Sequence, residues 1–504
     1  MTEGGAFLEK LFYQAIYDKR LKRSMMILEM LYKAKQDLTI KELAKSLHVS
    51  ERTVTTTLEF TKTLLPDTFF MSISDKKVSF SSTDDQPIDV VIIEIAKQTI
   101  SFRILKHAFL EDGLNLCELA EQLFVSESTL RSRIKHINKM LKQFGCSLSS
   151  NDVKFVGKEA NIRYFIYAYF SEFQDFYFSV CEEQLQYCTI MYDNMKEAVI
   201  KAGRRPMNLN SPQVKRWLTV TSDRIKTDKF IRLDEAFVER ICGRASYKIF
   251  REIYRDVIIW FLNKEEIPEA EFVWAYIMAF HSVVYRPEAE AELFRDEKDN
   301  EPYKRKISEI LNQMIMKFEI KEEDKEQFLL LHTAYFINIS LLTVISPVFQ
   351  IGFPNVKDYV IKNLQDVYNE WFECLGTVPK DELFQLDNSQ SVPVQLAMIS
   401  SQFIYKQKSQ ADKILYLFEG EAGFISYMET LAKRFIPKWV KGTFVYSEPV
   451  TSELIERVKP DIIVHNYELP EKIQGCKMVR VSDVPQNQEW EVLKKLIVNL
   501  DKDN

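Results

Sequence analysis

The chain has 504 residues, which is too long for one hydrophobic core and predicts roughly three to five domains. Ordinary apolar and charged fractions with few Gly and Pro residues favour a mainly α, multidomain globular protein. The net charge of −6 argues against a protein that coats nucleic acid along its whole length.

Sequence marks of enzymes and metal sites are missing. The seven cysteines include no C-x-x-C pair, so neither a disulfide framework nor a zinc site is encoded. No H-E-x-x-H, G-x-S-x-G or Walker-type glycine loop occurs. We therefore expect no catalytic residues, no metal and no cofactor. No signal peptide and no apolar run of bilayer length is recognised, which predicts a cytoplasmic protein without a membrane partner.

A phrase in the first part of the chain occurs twice. "ELAKSLHVSERTV" (42–54) and "ELAEQLFVSESTL" (118–130) agree at eight of thirteen positions, where unrelated segments agree at about one. In both copies apolar residues at helical spacing precede a short turn, and Ser50 and Ser126 begin a second helix as N-caps. The pattern predicts two helix-turn-helix units in tandem.

Each unit is followed by a short stretch of alternating polar and apolar residues. These stretches are "SISDKKVSF" (72–80) and "SLSSNDVKF" (147–155). Both are typical of a β-hairpin wing. We therefore predict two winged helix-turn-helix domains, at 1–88 and 89–165.

The second helix of the second unit carries the candidate DNA-binding face. "RSRIKHINKMLK" (131–142) has five Lys or Arg residues and no acid. Five residues line the predicted exposed face of this helix, and a sixth, Arg133, is predicted to contact a phosphate. The predicted DNA-binding residues of this unit are Ser128, Arg131, Ser132, Arg133, Lys135 and Lys139. The less positive first unit contributes Arg52 and Thr55 as secondary contacts.

The middle of the chain reads as helical. Breaks near residues 203–212, 285–291 and 344–355 divide it into two predicted bundles, 170–287 and 288–405. Each has one histidine on a strongly apolar helix, His281 and His332. Such a histidine is more often a buried structural residue than a chemical site.

Strand and helix patterns alternate from about residue 410. Strands are predicted at 413–418, 442–447 and 460–466, and helices at 421–435 and 489–500. The alternation predicts a small parallel α/β domain at 410–504.

The order of these parts, the duplicated phrase and "VGKEANIRYF" (156–165) resemble the Mga/AtxA-type virulence regulators of Gram-positive bacteria. The resemblance implies two PRDs, which are regulation domains of the sugar phosphotransferase system, and a C-terminal domain similar to enzyme IIB. It implies a transcription regulator that binds promoter DNA as a homodimer. Phosphocarrier proteins of that system would be transient partners, with His281 and His332 as candidate phospho-acceptors.

Two features depart from the family pattern. No histidine occurs between His136 and His281, although PRDs often have several, so phosphorylation is reduced or lost here, or both candidates are structural. The loop after the first strand of the C-terminal domain, "EGEAG" (419–423), lacks the cysteine of enzyme IIB carriers.

Three other functions stay open. The first is a phosphotransferase-system phosphocarrier. The second is a scaffold whose helix-turn-helix units bind protein partners rather than DNA. In the third, a small ligand replaces phosphorylation as the signal in a DNA-binding regulator.

Overall fold

The computed structural model describes most of the chain between residues 10 and 500. The described ranges are 10–34, 37–83, 87–110, 114–173, 186–187, 189–190, 192–194, 197, 210–282, 301–352, 354–380, 385–387, 391–404, 414–436, 442–445, 450–469 and 476–500. They form two compact units, Met1–Gly157 with Met478–Asn504, and Lys158–Lys477. The bounds of the five predicted domains stay predictions.

The first copy of the repeat forms a winged helix-turn-helix. Its helices are α1 (Leu11–Ala15), α2 (Lys19–Lys33), α3 (Ile40–Ser46) and α4 (Glu51–Lys62), and its strands are β1 (Leu38–Thr39), β2 (Phe69–Ser74) and β3 (Lys77–Ser82). The predicted apolar stripe is buried, because Leu43, Val54 and Leu58 lie in one core with residues of α2 and the hairpin.

The second copy has the same plan. It contains α5 (Ile88–Lys97), α6 (Ile100–Leu110), α7 (Leu116–Gln122), α8 (Glu127–Leu141), β4 (Cys146–Leu148) and β5 (Phe155–Gly157). Leu119, Leu130 and Ile134 are almost completely buried. The apolar spacing of the repeat therefore places the same side chains inside in both copies.

Hydroxyl side chains begin the second helix of each copy, as predicted. The Ser50 and Ser126 hydroxyls each accept a hydrogen bond at 3.2 Å, from the backbone N–H of Thr53 and Thr129 respectively. Each bond satisfies one of the free amides of a first helical turn, which stabilises a helix by about 1 kcal/mol.

Both predicted wings are antiparallel hairpins. In the first, β2 and β3 are paired from Phe69–Ser82 to Ser74–Lys77, and Asp75 and Lys76 form the turn with φ of 48° and 62°. Two residues with positive φ describe a type I′ turn, whose twist matches that of the strands. The second wing is shorter, with three pairs from Cys146–Gly157 to Leu148–Phe155.

The second unit begins with the segment that contains "VGKEANIRYF". Its helices are α9 (Glu159–Ser171), α10 (Ser211–Lys226), α11 (Glu235–Cys242), α12 (Ala245–Leu262), α13 (Glu269–His281), α14 (Glu301–Lys317), α15 (Glu322–Ile345), α16 (Pro354–Asn363), α17 (Gln365–Thr377) and α18 (Val392–Ile404). Pro347–Gln350 forms a 3₁₀ turn. The described part of this region is helical, as its periodicity predicts.

A buried ionic cluster joins three of these helices. The completely buried Arg163 guanidinium donates two hydrogen bonds of 2.8 Å to the Glu271 carboxylate and one of 3.0 Å to Glu159. Arg224 donates to the same Glu159 carboxylate at 2.8 Å. Two cations and two anions thus balance, which is the condition for charges to persist in an apolar interior.

One helix contradicts the prediction that no apolar run is long enough to cross a bilayer. α15 is long and apolar enough to cross a membrane, yet 72% of its most apolar window lies buried inside the protein. That window includes His332, Asn338 and Ser340, all of them buried. Burial against other helices is typical of a core helix.

The C-terminal part contains the predicted parallel sheet. Its strands are β6 (Ile414–Leu417), β7 (Gly442–Val445), β8 (Ile462–His465) and β9 (Lys477–Arg480), in the order β7-β6-β8-β9. β6 pairs in parallel with β7 and β8. The helices are α19 (Ala422–Phe435) and α20 (Ser452–Val458). β9 and α20 were not predicted.

The last helix, α21 (Asn487–Leu500), belongs to the first compact unit rather than to the sheet's unit. Its Glu489 side chain is buried and accepts hydrogen bonds from the Ser482 N–H at 2.7 Å, the Ser482 hydroxyl at 2.9 Å and the Gln486 N–H at 2.8 Å. Asp89, in α5, lies near Ser482 and Glu489 and interacts with both electrostatically. The segment that ends in α21 thus belongs with the N-terminal repeats.

Candidate nucleic-acid interface

The exposed face of α8 is the most cationic helix surface among the predicted sites. Successive residues of a helix are separated by about 100°, so Ser128, Arg131, Ser132, Lys135 and Lys139 fall within about 100° of one another. All five are exposed, while Leu130, Ile134, Ile137 and Leu141 on the other side are buried. Five of the six residues predicted in this unit therefore share one surface.

The wing borders one edge of this face. The Arg131 guanidinium donates to the Ser150 carbonyl at 3.4 Å and to the Asn151 side-chain oxygen at 3.5 Å. It also lies 3.6 Å from the Glu127 carboxylate. All three contacts are exposed and weak, so Arg131 stays available to a stronger acceptor.

Arg133 lies away from this face, about 140° around the helix from Ser128. It is half-buried, and its guanidinium carbon is 3.9 Å from the centre of the Tyr17 ring. Tyr17 comes from the connection between α1 and α2. Sequence reasoning missed this contact because nothing in the periodicity of α8 indicates a partner 116 residues away.

The corresponding helix of the first unit is nearly neutral. Arg52 is exposed, but the half-buried Thr55 donates its hydroxyl to the Glu51 carbonyl at 3.0 Å. The wing of this unit carries two further exposed cations, Lys76 and Lys77, at its tip. The wing lysines were not predicted as contacts, although the "DKK" tip of the hairpin indicates them.

His332, one of the two histidines taken as phospho-acceptor candidates, is completely buried in α15. Its Nδ1 donates to the Phe328 carbonyl at 2.8 Å, which leaves Nε2 to accept from the Ser400 hydroxyl at 2.9 Å. Ser400 in turn accepts from the Trp371 indole N–H at 2.9 Å. Burial lowers the pKa of the imidazole to about 3, so His332 is neutral.

Both ring nitrogens of His332 are thus hydrogen-bonded and buried, which is typical of a structural histidine. The other candidate, His281, is the last residue of α13. Its side chain lies outside the described residues.

The loop that would carry a phosphocysteine in an enzyme IIB carrier is buried against α10. Glu419 forms an ion pair with Arg216, and the Asn210 side-chain amide donates to the Gly420 carbonyl at 2.7 Å. Asn466 exchanges two 2.7 Å hydrogen bonds with the Glu419 backbone. The loop thus holds a structural ion pair rather than a nucleophile. Among the described residues no His, Cys, Asp and Glu cluster is arranged to hold a metal ion.

Comparisons with known proteins locate two family matches in the N-terminal third. Residues 84–170 match the Mga helix-turn-helix domain, and residues 23–64 match a general helix-turn-helix domain family. The two matches contain α8 and α4 respectively. They fall on the two copies of the repeat, and Tyr17 lies outside both.

Three curated proteins are similar to parts of the chain. A protein of Streptococcus pneumoniae serotype 4 described as "Putative trans-acting regulator" is 32% identical over 222 residues, 44% of each chain. The capsule synthesis positive regulators AcpA and AcpB of Bacillus anthracis are 29% and 25% identical over 146 residues, 29% of this chain and 30% of each regulator. The chain thus spans less than half the length of each relative.

Proposed function

We propose that this chain, which belongs to the Mga/AtxA-type family of regulators, is a sequence-specific DNA-binding transcription regulator. The observation that carries the proposal is the exposed face of α8, where Arg131, Lys135 and Lys139 lie beside a wing. A helix of this kind enters the major groove, and its cations neutralise backbone phosphates while hydroxyls and arginine reach base edges.

The two repeats divide the contacts in this proposal. The second unit supplies most of the affinity through α8. In the first unit, Arg52 and the wing lysines mainly position the protein on the DNA. They add less affinity, because acidic residues lie beside the exposed cations of α4 and repel backbone phosphates. The protein acts in the cytoplasm as a homodimer and performs no catalysis.

Regulation by phosphorylation falls on His281 in this proposal. The family resemblance supports a histidine acceptor in the helical region, and the buried hydrogen bonds of His332 favour a structural role for that residue. A phosphoryl group adds nearly two negative charges and so changes an interface by electrostatics alone.

The test begins with duplexes selected by the wild-type protein from a randomised pool. Their affinity is then measured between 50 and 300 mM salt, concentrations on the order of those used to read counterion release. The Lys135→Ala/Lys139→Ala variant is expected to bind more weakly, with a salt slope smaller by about 1.8, because two phosphate contacts are lost.

The matched control is Lys321→Ala/Lys362→Ala, which removes the same charge from exposed lysines of the helical region. It is expected to bind like the wild type. Failure of the wild type to enrich any duplex would refute DNA binding and favour the scaffold. Equal effects of the two double variants would instead show that net charge, rather than α8, determines affinity.

A further inference from the structure

The N-terminal connection between α1 and α2 lies along the edge of α8 opposite the wing. The Gln143 side-chain amide donates to the Gln14 side chain at 3.1 Å, and the Ser132 hydroxyl to the Tyr17 hydroxyl at 3.4 Å. The Tyr17 ring meets the His136 ring edge-on at 5.4 Å. The exposed face of α8 is thus bordered by the wing on one side and by Tyr17 on the other.

Tyr17 fixes the direction of Arg133 without using its hydrogen-bonding capacity. The guanidinium lies over the aromatic ring at 3.9 Å, a contact that restrains the plane of the group and leaves its N–H donors at the periphery. Among the residues that the structure describes, none accepts a hydrogen bond from Arg133. A pre-oriented cation therefore keeps its full donor set.

The Tyr17 hydroxyl adds one more hydrogen-bond donor beside Arg133. Because Ser132 donates to the Tyr17 oxygen, the Tyr17 proton is directed elsewhere and meets no acceptor in the described part of the chain. Tyr17 is 45% exposed, so an incoming group can reach it. A guanidinium and a phenolic hydroxyl side by side match an anionic, tetrahedral acceptor such as a phosphodiester.

We infer that Tyr17 and Arg133 form a phosphate clamp that binds the DNA backbone at the edge of α8. Arg133 donates to the phosphate, and Tyr17 orients the guanidinium and adds its own hydroxyl. The inference rests on the proposed DNA binding and extends it to a segment outside both helix-turn-helix matches. It also explains how Arg133 contacts DNA although it lies off the face of α8.

The clamp is tested with the selected duplexes on the full-length chain. Arg133→Ala is expected to weaken binding about fivefold and to reduce the salt slope by about 0.9, the loss of one phosphate contact. Tyr17→Ala removes no charge, yet it is expected to reduce both affinity and slope in the same direction. Tyr17→Phe keeps the stacked ring and is expected to retain most of the slope.

The double variant Tyr17→Ala/Arg133→Ala decides whether the two residues act together. The clamp requires that the double variant lose less affinity than the product of the two single losses, whereas independent residues would multiply their effects. A Tyr17→Ala protein with wild-type affinity and slope would overturn the clamp. So would full additivity in the double variant.

Two controls separate this outcome from other failures. Thermal unfolding of Tyr17→Ala should match the wild type, because the residue is half exposed, and a lowered transition would assign Tyr17 a structural role instead. Lys139→Ala should reduce the slope in either case. Suppose that the wild type binds DNA and Lys139→Ala reduces the salt slope, while Tyr17→Ala and Arg133→Ala leave the slope unchanged. The proposed DNA binding would then be supported and the clamp refuted.

Discussion

Replacing Glu489 by Gln tests how the last helix is attached to the N-terminal unit. Burial raises the pKa of the Glu489 carboxyl to about 7, and the neighbouring Asp89 carboxylate contributes in the same direction. The protonated form is therefore the one that fits the site. The resulting stabilisation is complete below the ordinary pKa of about 4.5 and is lost as the pH rises through 7.

The magnitude follows from the difference between the two pKa values. About 2.5 units correspond to about 3 kcal/mol, which the wild type loses between pH 4.5 and pH 8. A glutamine avoids this loss but cannot accept from the Gln486 N–H as the carboxyl oxygen does at 2.8 Å. That unpaired amide costs about 1 kcal/mol at every pH.

Near pH 5, about half a unit above the ordinary pKa of a Glu carboxyl, the wild type and Glu489→Gln should therefore have equal free energies of opening. At pH 8 the free energy of opening of the variant should be higher by about 2 kcal/mol. The assay is hydrogen exchange of peptides from 478–494 in the full-length chain. Protection is converted to the free energy of opening with the intrinsic rate at each pH. A wild-type opening free energy that is constant from pH 5 to 8 would refute the reasoning.

A buried cation, an inaccessible imidazole and a strained turn give three further tests. Arg163→Ala should destabilise the chain by about 3–5 kcal/mol in urea unfolding, since it leaves the buried Glu271 without its cationic partner. A loss below about 1 kcal/mol, roughly that of a surface pair, would contradict this. Diethyl pyrocarbonate should modify the exposed His48 and spare His332 in the native chain, as read by peptide mass spectrometry. Phe124 has φ of 55° and is 94% exposed, so Phe124→Asn should raise thermal stability by about 0.5–1 kcal/mol; a lowered transition would show that the ring packs.

Local chemistry explains which parts of the fold the sequence predicts. The helix starts at Ser50 and Ser126 and the hairpin wings depend on neighbouring residues, so short-range pattern is enough to find them. The apolar periodicity of α8 also separates its buried from its exposed side. These features carry the helix-turn-helix assignment and the position of the cationic face.

Contacts between distant segments are not encoded in such patterns. The stacking of Tyr17 on Arg133 and the ion pair of Glu419 with Arg216 each join residues more than one hundred positions apart. The short, half-exposed strand β9 has too few residues to show alternation. The closing helix α21 was predicted as an element, but an amphipathic pattern does not specify which unit its apolar side contacts.

The discontinuity of the first compact unit has a consequence for biosynthesis. This unit combines Met1–Gly157 with Met478–Asn504, and Glu489 of the second segment interacts with Asp89 of the first. At about 5–20 residues per second, a ribosome needs about half a minute to make the intervening segment of about 320 residues. During that interval the helix-turn-helix repeats emerge without the segment that interacts with Asp89. Nascent chains therefore pass through a stage in which the repeats lack the C-terminal segment of their own unit.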